Sequence, residues 1–181
     1  MAKRGVFHAV MGSGSTFLAP VTAYPTTTLT MALYNPHESG RVYKLFGVGE
    51  FLASGTPGAG GVLLVCVTAV SQARPTLSTG SNSGYAGTKI SSLKGAGAPG
   101  DTQAIFLSAL TLTGEQPAWV AVASEPAAGT GLTIATHGLA ADIRYLEIEV
   151  PQGGMTGIAY LSGAGTAPLY GFGVTWQEED A

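Results

Sequence analysis

The chain has 181 residues, with eight Lys and Arg against eleven Asp and Glu, for a formal net charge of −3. Only 10% of it is charged, against about 25% in an ordinary soluble domain. It carries no basic stripe of the kind that neutralises a phosphate backbone, so no nucleic-acid partner is expected.

No apolar run approaches the roughly 20 residues of a spanning helix, so no membrane partner is expected either. Lys3 and Arg4 precede an apolar stretch too short and broken for a secretory signal core. The lone cysteine, Cys66, cannot make an intrachain disulfide and reads as a small buried hydrophobe. With 27 Gly and 10 Pro but no three-residue period, the composition excludes collagen and suits short strands joined by tight turns. Low charge and a mean hydropathy of +0.29 favour a surface covered by copies or partners over one kept polar by Ser, Thr and Gly.

Residues 1–25 read as an N-terminal arm. Phe17, Leu18, Val21 and Tyr24 lie in a stretch that Pro20 and Pro25 keep out of a sheet interior. That stretch is an edge strand or an arm laid over a neighbouring subunit. Residues 27–34 form the first strand, with Leu29, Met31 and Leu33 alternating with Thr28, Thr30 and Ala32. Residues 35–40, Asn-Pro-His-Glu-Ser-Gly, are a run of turn formers. Strand 41–51 follows, and its Gly47 and Gly49 on one face suggest a bulge or close approach of another backbone. Strand 62–70 is apolar on both faces, so it needs a layer on each side or a subunit interface on one.

Residues 71–101 are poor in core formers and read as an extended surface excursion with a short strand or turn at 88–93. Tyr85, Ile90 and Leu93 are its anchors and candidate interface residues. Strand grammar returns at 103–112, 118–124 (anchored by Trp119) and 132–136. Residues 142–150 alternate, with Leu146, Ile148 and Val150 on one face and Glu147 and Glu149 on the other; Tyr145 is a further candidate interface residue. Strands 155–161 and 168–176 close the chain. In the last, Tyr170, Phe172, Val174 and Trp176 back a nearly bare face of Leu169, Gly171, Gly173 and Thr175. Residues 177–181 read as solvated, with 178–181 an acidic tail.

The fold expected is all-β: an antiparallel two-sheet sandwich, jelly-roll-like, as one domain over 26–177.

No constellation of residues carries a chemistry. His8, His37 and His137 are scattered, with no paired metal-ligand spacing. Residues 12–15, Gly-Ser-Gly-Ser, lack the lysine and strand–helix context of a phosphate loop. Residues 80–84, Gly-Ser-Asn-Ser-Gly, have Asn82 where a nucleophile elbow needs serine. Glu147 and Glu149 on one strand face stand roughly 6.6 Å apart, within glycosidase range, but alternating glutamates on a solvent face are the simpler explanation. Asp101, Glu115 and Glu125 do not match the ligand spacing of a calcium loop. No catalytic, cofactor-binding or metal site is assigned, and no cofactor is expected.

Two stretches carry a resemblance. LYNPHESGRVYKLFGVG (33–49) resembles the NP-x-x-SG hairpin of small β-sandwich structural proteins of tailed bacteriophages. YLEIEVPQGGMTGIAYLSGAGTAPLYGFGVTWQEED (145–180) is similar to their closing pattern of strand, Pro-Gly-Gly turn, strand, small-residue loop and aromatic strand. The resemblance implies a non-enzymatic virion component of the capsid-decorating or cement type, assembled in the host cytoplasm and seated on the capsid surface. Self-association, with a trimer favoured, and contact with a major capsid protein or other virion proteins follow from it. The alternatives are a receptor- or glycan-binding module on a fibre or tail, or a jelly-roll enzyme.

Overall fold

The computed structural model describes residues 3–10, 17–68, 71–74, 85–86, 91–94, 102–112, 114, 117–125, 138–163 and 165–181. Its strands, in chain order, are β1 (Lys3–Val10), β2 (Thr28–Tyr34), β3 (Arg41–Thr56), β4 (Gly61–Val67), β5 (Tyr85–Ala86), β6 (Ser91–Lys94), β7 (Ile105–Thr111), β8 (Trp119–Glu125), β9 (Gly138–Asp142), β10 (Glu149–Val150), β11 (Met155–Ser162) and β12 (Thr166–Asp180). A 3-10 turn at Arg144–Leu146 separates β9 from β10.

The strands make two antiparallel six-stranded sheets. Sheet A runs β10-β3-β12-β1-β6, with β9 also paired to β3, and sheet B runs β5-β7-β2-β11-β4-β8. The pairings mirror one another about the middle of the chain: β1 with β12, β2 with β11, β3 with β9 and β10, β4 with β8. β3 also pairs with β12 and β4 with β11, which completes the centres of the two sheets. The segment between β4 and β8 adds β7 beside β2, β5 beside β7 and β6 beside β1.

Strand period explains the core. Phe7 and Ala9 of β1, Leu33 of β2, Leu63 and Val65 of β4, Tyr160 of β11, and Tyr170, Phe172, Val174 and Trp176 of β12 all enter one buried cluster between the sheets. Trp176 stacks on Phe7 at 5.9 Å between ring centroids, and Tyr160 meets Tyr170 at 4.7 Å. The predicted aromatic face of the last strand is therefore the floor of the core. Residues 47 and 175 pair, as do 45 and 176, so Phe46 is an extra residue. This is the bulge expected near Gly47, and it switches the inward phase from Tyr43 and Leu45 to Val48.

Strand β4 owes its two apolar faces to two cores in the same chain. Leu63 and Val65 face the first cluster, while Leu64 and Cys66 lie in a second with Leu29, Ala32, Tyr34, Ile105, Leu107 and Trp119. Burial of both faces within the chain removes the need for a neighbour there.

Three expectations are corrected. Residues 1–25 are not a free arm. Residues 3–10 form β1 inside sheet A, because Phe7 and Ala9 supply an inward row that a run this short hardly advertises. The 17–25 stretch straps a corner of the sandwich. Leu18 exchanges backbone hydrogen bonds with Tyr170 of sheet A at 3.0 and 2.8 Å. Val21 bonds Tyr160 and Ser162 of sheet B at 2.9 and 3.0 Å. The strap extends the slots of β1 and β2, and its prolines fall outside these ladder bonds.

Residues 142–150 are not one strand. Ile143 donates to Phe46 at 2.9 Å and Leu45 to Ile148 at 3.0 Å, so the residues between them loop out opposite two residues of β3. Finally, the acidic tail is strand. β12 continues to Asp180, and Glu178 is 0% exposed. Arg41, Thr102 and Trp176 make that burial possible by bonding its carboxylate. The strand expected at 132–136 and the linkers 12–15 and 80–84 lie outside the described residues, as do His137, Ile90, Asp101 and Glu115.

Candidate interaction surface

The turns 35–40 and 151–154 at one end of the sandwich are not hairpin turns: each crosses from one sheet to the other, and they are joined by Asn35, which is fully buried. Its side-chain amide donates to the carbonyls of Arg41 at 2.8 Å and Val150 at 2.9 Å. Its side-chain oxygen accepts from Ser39 Oγ at 2.6 Å. Its backbone bonds Gly154 and Gly153 at 3.0 and 2.7 Å. The backbone of Asn35 thus ties residues 35–40 to residues 151–154, and its side chain ties the same turn to the Arg41 and Val150 carbonyls. This explains the Asn-Pro-x-x-Ser-Gly spacing as a structural clasp.

His37 borders this clasp but is not organised for catalysis. Its Nε2 lies 3.0 Å from the Gln72 carbonyl. Ser71 Oγ stands 3.4 Å from Nδ1 and 3.3 Å from Nε2. Near-equal distances to both nitrogens put the hydroxyl off the lone-pair axis that a general base uses. Glu147 adopts left-handed backbone (φ 50°) after the 3-10 turn, so it and Glu149 do not share a regular strand face. Glu149 pairs with Lys44 at 3.4 Å. Among the described residues, no group of three or more His, Cys, Asp or Glu is placed to hold a metal, and no helix is long and apolar enough to cross a membrane.

The described interface candidates fall into four groups. Phe17, Leu18 and Val21 are half-buried against the chain's own clusters. Tyr24 is exposed, and its hydroxyl donates to the Trp119 carbonyl at 3.1 Å. Tyr85 lies in β5 and Leu93 in β6, on opposite sheets. Tyr145 is 71% exposed on the loop between β9 and β10. The structure does not gather them into one surface.

Gly47 and Gly49 and the nearly bare face of the last strand, separate in the sequence, meet on the outer face of sheet A. Register sets Val10, Gly173, Gly49 and Ala140 in one row across four strands, and His8, Thr175, Gly47 and Asp142 in the next row of that face. All of these but Asp142 line an open groove of about 330 Å³, with Phe51 beside them. Val10 and Phe51 are 42% and 38% exposed. His8 Nδ1 is 2.9 Å from Thr175 Oγ1, and burial holds its imidazole below the ordinary histidine value. The signal in the sequence was the bare-glycine alternation at 47, 49, 171 and 173.

Beside the groove, Arg144 Nε donates to both Asp142 carboxylate oxygens at 2.9 and 3.0 Å, with its guanidinium 5.8 Å from the Phe46 ring centre. These bonds, foremost those from the Arg144 side chain, hold the Asp142 carboxyl down to about 2. A folded-state value below the unfolded one means the clasp is in place above about pH 4 and is lost as pH falls through about 2. A carbon-detected NMR titration is expected to show Asp142 with a midpoint near 2, moving back towards 3.8 in Arg144→Gln. An unchanged midpoint in that variant would refute the clasp.

In comparison with known proteins, no family model matches the chain, and no curated protein matches it.

Proposed function

We propose that this chain is a non-enzymatic structural protein of a virion that binds and reinforces an assembled capsid shell. One observation carries the reading. The two stretches that resemble phage sandwich proteins, far apart in sequence, are neighbours in space: β2 pairs with β11, β3 pairs with β12 and β10, and Asn35 bonds the backbone of Val150 and Gly154. A resemblance in scattered style would have no reason to converge on one unit.

The mirror-image pairing order supports reading the sandwich as a jelly roll, an architecture used by viral capsid and lectin domains. A shell-binding role asks for a stiff body with contact surfaces. The centre of sheet B, where β4 is buried on both faces, supplies the stiffness, and the open face of sheet A and the Tyr145 loop supply the surfaces. Binding energy distributed over subunit junctions then adds to shell stability by linkage.

Purified chain mixed with shells of its cognate major capsid protein is expected to co-sediment saturably and raise the shell's melting temperature. A well-dispersed monomer with no affinity for the shell overturns the proposal.

A further inference from the structure

We draw no further inference here: the strongest candidate, the open groove on the outer face of sheet A floored by Gly47, Gly49 and Gly173, is an unpartnered face, and nothing in the structure shows what covers it.

Discussion

Asn35→Ala is expected to destabilise the protein by about 3 kcal/mol or more. The substitution strips hydrogen-bond donors from the buried carbonyls of Arg41 and Val150 and an acceptor from Ser39. Each orphaned buried polar group costs roughly 1–3 kcal/mol. Asn35→Asp separates shape from chemistry. It keeps the volume and the Ser39 partner, but it turns two donors into an oxygen that faces two carbonyl oxygens. It should therefore be at least as damaging as alanine. Urea unfolding is the measurement, with the midpoint falling and the denaturant slope unchanged if the loss lies in the folded state. A change under about 0.5 kcal/mol, the range of neutral surface substitutions, would refute the clasp.

Arg41→Ala is expected to cost about 3–5 kcal/mol, the range found when one partner of a buried ion pair is removed. Glu178 is fully buried, and the Arg41 side chain is 11% exposed. Without the guanidinium, the carboxylate keeps the Thr102 hydroxyl and Trp176 Nε1, the latter at 3.1 Å, but loses its countercharge. Glu178→Gln in the Arg41→Ala background is expected to recover part of the loss. It abolishes the stranded charge and keeps an acceptor for Trp176. The two changes sit in one network and should not add. Additive losses in the double variant would show that Arg41 acts through packing alone.

The strand grammar was legible where the inward row is chemically distinct from the outward one, as in the aromatic row from Tyr170 to Trp176. The alternation of Leu29, Met31 and Leu33 marked a strand but not its faces, since Met31 and Leu33 enter the first cluster while Leu29 lies with Ala32 and Tyr34 in the second. The turn at Asn35 was legible by composition. Its role in joining two sheet-to-sheet turns was not, since Val150 and Gly154 are more than a hundred residues away.

β1 was missed because its inward row is only Phe7 and Ala9, too few to establish a period. The tail was misread because three consecutive acidic residues look solvated until Arg41, Lys44 and Thr102 are brought to them by β3 and the start of β7. The break at residues 143–148 preserved the apolar spacing of Leu146, Ile148 and Val150, so alternation survived where the strand did not. The candidate site was the least legible part. Its floor is defined by absent side chains drawn from β3 and β12, and only the pairing of Gly49 with Gly173 makes one surface of them.

These features describe a sandwich stiffened by internal clasps, with β4 buried on both faces in one sheet and an open glycine-floored face on the other. On such a body, function lies in what the open face and the exposed loop touch. A cryo-EM reconstruction of capsid shells assembled with this chain is the most direct test of the proposal. It predicts two-sheet density on the outer shell surface at junctions between capsid subunits. Complete shells with no density for this chain would contradict it.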